Sequence, residues 1–183
     1  MNVLGVCGSP RAGSTNLVVL RMAAELAPAG VQLGWDASQI GDLPHFNPDL
    51  DREGDLPPTP VAAWRARLAA ADAVLISSPE YAHGVPGSLK NALDWIVSSG
   101  ELTGKPTAVV VAGASGGAYA REALRQTLEV IGARLVAVES LVLGRSQIDP
   151  DGRITAPALL GQLRSVVEAL AAGGRADRAT AGG

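Results

Sequence analysis

Two almost uninterrupted apolar runs, VLIS at residues 74–77 and TAVVVA at residues 107–112, constrain this chain more than any other feature. A strand with one wet face alternates apolar and polar residues. A run without alternation belongs to a strand covered on both faces, as in the interior of a parallel sheet. Residues 3–6, 32–36 and 135–143 are further short segments rich in Val, Leu, Ile or Ala, and together with 73–77 and 107–112 they give five strand candidates. Helix-like segments lie between and after them, at residues 16–27, 61–71, 88–98, 120–131 and 157–171.

Parallel neighbours need crossover connections, and crossover helices cover both faces of a sheet. The expected architecture is therefore an α/β fold: a doubly wound five-stranded parallel sheet with helices on both faces. Five strands in 183 residues fit the flavodoxin-like order 2-1-3-4-5 better than a six-stranded dinucleotide fold. Ligands of such sheets sit beyond the carboxyl ends of the strands, at the switch point between strands 1 and 3. Residues 1–172 read as a single domain. Within it, residues 41–60 are rich in Pro and Asp without any period and read as a long surface loop. The Gly/Ala-rich stretch 173–183 reads as a disordered tail.

Composition narrows the function. The 47% hydrophobic content leaves ample material for a core, while a formal charge of -3 with scattered Lys and Arg provides no basic field for nucleic acid. One cysteine, Cys7, excludes an internal disulfide framework and any multi-cysteine metal site, and two histidines argue against a metal centre. The start MNVLGVCGSP lacks the basic and apolar regions of a signal peptide, and no apolar run reaches the ~20 residues of a membrane span. The expected setting is the cytoplasm and the expected ligand a small molecule.

The loop after the first strand, Gly8-Ser-Pro-Arg-Ala-Gly-Ser-Thr15, matches a nucleotide P-loop except that Ser14 stands where the lysine belongs. Ser9, Ser14 and Thr15 offer hydroxyls, Arg11 offers a cationic fork, and the following helix points its amides and positive dipole end at the same spot. These features suit an anion. Spacing disposes of several rivals. Ser14 cannot reach β and γ phosphates as a P-loop lysine does. A cysteine phosphatase needs its arginine six residues after Cys7, where Gly13 stands, and the G-x-G-x-x-G dinucleotide fingerprint is absent. The plainest alternative is that Ser14 only caps a helix and Gly13 only turns the chain.

Two more loops follow strands 3 and 4. In residues 77–95, Pro79, Gly84, Pro86 and Gly87 fix and expose backbone, Ser88 reads as a helix N-cap, and Tyr81 is one of only two tyrosines. An aromatic ring beside exposed peptide groups suits a flat heteroaromatic ligand. In residues 112–119, Ser115, Gly116 and Gly117 are small enough for backbone to approach a ligand closely, or they form a plain strand-to-helix turn. Three such loops meeting at one strand-end crevice argue for a binding site.

These residues resemble the NAD(P)H-dependent FMN reductases, flavodoxin-like flavoproteins that include quinone, chromate and azo-dye reductases. The resemblance spans roughly residues 1–172. It rests on G-S-x-R-x-x-S-x-N from Gly8 to Asn16, L-P-x-x-N-P-D from Leu43 to Asp49, and S-P-E-Y-x-x-x-x-P-G-x-L-K-N-A-x-D-W from Ser78 to Trp95. It implies that Ser9, Arg11, Ser14, Thr15 and Asn16 hold the FMN phosphate. It also implies that Pro79, Glu80 and Tyr81, with the backbone on to Gly84, border the isoalloxazine ring, and that Ser115, Gly116 and Gly117 close the far edge. The family commonly has asparagine after Tyr81, and here Ala82 and His83 follow. His83 either replaces that contact, faces the substrate, or is a solvated surface residue.

The implied function is an NAD(P)H-dependent FMN oxidoreductase that passes electrons from NADPH or NADH to a quinone, free flavin or similar acceptor. Because the cofactor carries the redox step, no side chain is assigned as catalytic. The resemblance also implies a homodimer or homotetramer and leaves room for a partner monooxygenase. A flavodoxin-like electron carrier without nicotinamide-dependent turnover is the alternative, although such carriers usually bear a strongly acidic docking face. Glu80 is expected to steady its loop by accepting backbone amides, Lys90 and Asp94 to form a surface pair, and Trp95 to sit in the core or a subunit interface.

Overall fold

The computed structural model describes residues 1–35, 40–52 and 54–181, with side chains as far as Ala176. Its five strands, β1 (Asn2–Cys7), β2 (Gln32–Trp35), β3 (Ala73–Ser78), β4 (Pro106–Gly113) and β5 (Arg134–Val142), form one parallel sheet in the order β2-β1-β3-β4-β5. This is the order expected from the sequence. Of the expected second strand, Asp36 lies outside the described residues. Helices α1 (Thr15–Glu25), α2 (Thr59–Ala70), α3 (Gly87–Asp94), α4 (Ala118–Val130) and α5 (Pro157–Ala181) make the crossovers and the C-terminal cover.

Strand alternation distributes the core between the two faces. Leu4, Val6, Val74, Ile76, Val109 and Val111 point to the layer of α2, α3 and α4, where Trp64, Leu89, Leu93, Leu124 and Leu128 meet them. Val3, Cys7, Leu75, Ala108 and Val110 point to the layer of α1 and α5, against Val19, Leu20, Leu163 and Val167. The unbroken apolar runs at residues 74–77 and 107–112 thus serve two cores at once, and every residue of β3 is buried. Because all strands run parallel, the chain leaves each one at the same edge of the sheet, and the loops after β1, β3, β4 and β5 gather there.

Three local expectations change. Helix α5 does not stop near residue 171 but continues through Gly173 and Gly174 to Ala181, across much of the stretch expected to be disordered. Each glycine costs a helix interior roughly 1 kcal/mol, yet a Cβ at Gly173 would lie 3.1 Å from Val136 and 3.2 Å from Pro106, and one at Gly174 would collide with Met1. At Gly173 the helix passes so close to the sheet that a side chain would crowd Val136 and Pro106, and tertiary contact overrides local propensity. Second, Pro86 rather than Ser88 occupies the N-cap position of α3, and Ser88 lies inside the helix.

Third, the stretch 41–60 is not loose where it is described. It contains a 3-10 turn at Pro48–Leu50, capped by Asn47. The Pro44 carbonyl accepts from Asn91 Nδ2 at 2.9 Å and from Trp95 Nε1 at 2.8 Å. The Asn91 carbonyl oxygen in turn accepts from the Phe46 amide at 2.8 Å, and Phe46 meets Trp95 edge-on with ring centroids 5.0 Å apart. Trp95 is fully buried, and Lys90 and Asp94 form an exposed pair at 2.6 Å. Among the described residues no helix is long and apolar enough to cross a membrane.

Candidate functional site

The loop from Gly8 to Ser14 leaves β1 pressed against the end of β3. Its first amide donates to the Ser77 carbonyl at 2.7 Å, and a Cβ at residue 8 would fall 2.7 Å from Ser78 Oγ, so glycine is required there by close approach. Gly13 differs: nothing lies within 4 Å of a Cβ built on it, and its φ is not in the left-handed region. The fold therefore gives no reason for glycine at position 13.

Ser14 caps α1, its hydroxyl accepting from the Asn16 amide at 3.2 Å, while its own amide donates to the Arg11 carbonyl at 3.1 Å. Asn16 is buried and its Oδ1 accepts from Ser77 Oγ at 2.9 Å. Ser9 is buried too, with its Oγ 3.1 Å from Tyr81 Oη and 3.4 Å from the Arg11 amide that donates to it. The Cys7 thiol beneath donates to the Ser9 carbonyl at 3.4 Å. Burial pushes this thiol above its ordinary pKa, against smaller opposing effects from Ser9 and Ser14. A buried, protonated thiol is not a nucleophile.

After β3 the chain makes a tight hairpin. Tyr81 and Gly84 exchange backbone hydrogen bonds at 3.0 and 2.9 Å around Ala82 (φ 48°) and His83 (φ 58°). Two left-handed central residues define the type I′ turn, a role that Asn-Gly fills with least strain. This gives a physical reason why asparagine suits the position of Ala82. His83 is not simply solvated, because its ring stacks on Tyr119 with centroids 4.5 Å apart and planes 11° from parallel. Glu80 accepts from the Ala120 amide at 3.0 Å, placing a carboxylate at the positive end of α4.

In the loop after β4 the two glycines are fixed by the protein itself. Gly116 and Gly117 are buried and left-handed, with φ of 79° and 61°. A Cβ on Gly117 would overlap Val111, and one on Gly116 would lie 3.2 Å from Val142. Glycine is needed here by backbone conformation and by packing against the protein itself. Ser115 alone of the three is exposed.

Two adjoining cavities open at this edge and share Pro79, Ala112, Gly113 and Ala114. One, of about 250 Å³, is lined by Ser9, Arg11, Ser14, Thr15, Asn16 and Tyr81. The other, of about 320 Å³, is lined by Glu80, Ser115 and Gly117. Ala82, His83, Gly84 and Gly116 line neither; the first three form the hairpin tip beyond the crevice. Sequence reasoning missed Leu143, Gly144 and Arg145, which also line the smaller cavity. The available signal was topological, since the loop after the fifth strand must emerge at the same edge as the others. A larger depression of about 470 Å³ runs along β1, β2 and α2, bordered by Asn2, Gln32 and Trp35. It lies away from the strand-end loops and gathers none of their converging hydroxyls.

The donor set of the smaller cavity fits a phosphate: four hydroxyl side chains, the amide end of α1, two guanidinium groups and, among the described residues, no carboxylate. Fold and crevice together define an α/β protein of flavodoxin-like architecture with a strand-end binding site. The chain belongs to the NADPH-dependent FMN reductase family, whose family model matches residues 1–147. It is 36% identical over 160 residues to an NAD(P)H-dependent FMN reductase of Pseudomonas aeruginosa, covering 84% of each chain. It is 34% identical over 179 residues to a quinone reductase of Escherichia coli, covering 92% of this chain and 94% of that one. Among solved structures, the flavoenzyme NAD(P)H:(acceptor) oxidoreductase FerB of Paracoccus denitrificans superposes with a TM-score of 0.80 at 29% identity, over 95% of this chain and 97% of that one.

Proposed function

We propose that this enzyme binds one FMN in the strand-end crevice and passes electrons from NADPH or NADH to a quinone-type acceptor. One observation carries the reading: a cationic, hydroxyl-lined cavity at the start of α1 adjoins a second cavity walled by Pro79 and Glu80 after β3 and by the turn after β4. That pairing matches a ligand with a phosphate at one end and a flat ring at the other. The names of the similar FMN and quinone reductases support the same assignment.

In this reading Ser9, Arg11, Ser14, Thr15 and Asn16 bind the phosphate. Arg11 gives a charge-assisted bond and the α1 amides add their dipole. Pro79, Glu80 and Tyr81 border the ring, while the peptide groups from Ala82 and His83 to Gly84 shape that border, and Ser115, Gly116 and Gly117 bound the far edge. Glu80 acts through its bond to the Ala120 amide, which fixes the hairpin against α4. Tyr81 ties the hairpin to the phosphate loop through Ser9. Bound FMN supplies the redox chemistry, accepting hydride equivalents from the nicotinamide and giving up electrons to the acceptor. The protein's part is to bind, orient and shield.

The enzyme is further proposed to work in the cytoplasm as a homodimer or homotetramer, for which exposed Val97, Val130 and Val142 offer apolar surface. Stopped-flow mixing of the flavin-loaded protein with NADH or NADPH tests the central reading. Bleaching of the flavin absorbance, reversed on adding a quinone, is the expected result. A flavin that stays oxidised with both nicotinamides contradicts it and leaves the electron-carrier alternative.

A further inference from the structure

Arg145 enters the crevice from an element that none of the recognised sequence motifs includes. It follows Leu143, which is buried and whose amide donates to the Gly113 carbonyl at 3.1 Å, so the chain is anchored two residues before it. Gly144 donates to Gln147 Oε1 at 2.8 Å, which fixes the turn on the other side. A firmly held backbone thus delivers a long cationic side chain to the same cavity as Arg11. Among the described residues neither guanidinium forms an ion pair and no carboxylate lines that cavity.

Two uncompensated like charges brought into one crevice repel each other, more strongly where protein displaces water. In a chain with net charge -3, gathering them without an acidic neighbour among the described residues runs against the overall balance. A ligand carrying close to two negative charges removes the conflict. A phosphate monoester near pH 7 is such a group, with a second pKa of about 6. One guanidinium from the β1 loop and one from beyond β5 approach it from separate elements.

Resting on the FMN reading above, we propose that Arg145 is a second phosphate-binding residue, making the crevice selective for the phosphorylated flavin over riboflavin. The test is fluorescence titration of the full-length, flavin-stripped chain with FMN and with riboflavin, using the native protein, Arg145→Gln and Arg145→Lys. Arg145→Gln is expected to weaken FMN binding about 10-fold or more. It should leave riboflavin affinity unchanged and flatten the salt dependence of FMN binding. Arg145→Lys should recover part of the loss, because it keeps the charge and gives up the planar fork.

Arg145 is exposed, so the variants should unfold at the native temperature, and a melting scan checks this. Unchanged FMN affinity in Arg145→Gln overturns the assignment while leaving the FMN reading intact. An equal loss for FMN and riboflavin, or a loss confined to nicotinamide binding, also overturns it. A native chain that takes up neither flavin overturns the FMN reading and this inference together.

Discussion

The loop after β1 lines the strand-end crevice and the hairpin tip stands just beyond it, and the two are built on opposite principles. Along the loop, Ser9, Ser14 and Asn16 are buried, and each already holds a protein partner through its side chain. At the tip, Tyr81 is 49% exposed, and Ala82 and His83 sit in left-handed backbone without a glycine between them. One region is fixed from behind by the sheet; the other is held from the side, by Glu80 on Ala120, Tyr81 on Ser9 and His83 on Tyr119. The lesson is that an invariant ligand end can be cast into the scaffold, while the end that must admit changing partners projects from it on a few clamps.

Substitutions can break or sharpen that contrast. The largest effect is expected from Gly8→Ala, whose new methyl meets Ser78 Oγ at 2.7 Å and Leu89 at 3.0 Å. Overpacking of this kind costs about 1–3 kcal/mol, read as a lower midpoint in denaturant unfolding and accompanied by weaker FMN uptake. Tyr81→Phe removes the hydroxyl that bridges loop and hairpin. A net loss of about 1 kcal/mol is expected, or a fall of roughly 2–4 °C in Tm for a chain of this size. If Tyr81→Phe costs as much as Gly8→Ala, the hairpin is as integral to the scaffold as the loop, and the contrast fails.

Ala82→Asn should go the other way, because asparagine tolerates left-handed backbone better than alanine. A gain of up to about 1 kcal/mol is expected from the same unfolding measurement. Gly13→Ala, with open space around its Cβ, should change stability by no more than about 0.5 kcal/mol. A large loss there would mean that the loop depends on glycine at position 13 as well as at position 8.

What was legible in the sequence follows from how local each determinant is. The apolar runs at residues 74–77 and 107–112 declare their burial without reference to anything else, so strand number and sheet order could be read directly. Ser14 as a cap and Glu80 as an amide acceptor were legible because each acts on backbone that its own motif implies. Gly173 and Gly174 misled because their use depends on Met1, Pro106 and Val136, distant in sequence and close only in the fold. Gly116 and Gly117 stand out in the sequence as small residues, but their packing partners Val142 and Val111 are tertiary neighbours that the sequence does not reveal. The His83–Tyr119 stack and the placement of Arg145 likewise depend on loops meeting across the sheet edge.

Equilibrium titration of FMN into the flavin-stripped native chain and into Arg11→Ala decides whether the Gly8–Asn16 loop holds the phosphate. One FMN per chain is expected and, on losing a charge-assisted contact of roughly 1.5–3 kcal/mol, at least about a tenfold weaker Kd in the variant. Equal affinity in the two proteins would contradict the placement of the phosphate at the Gly8–Asn16 loop.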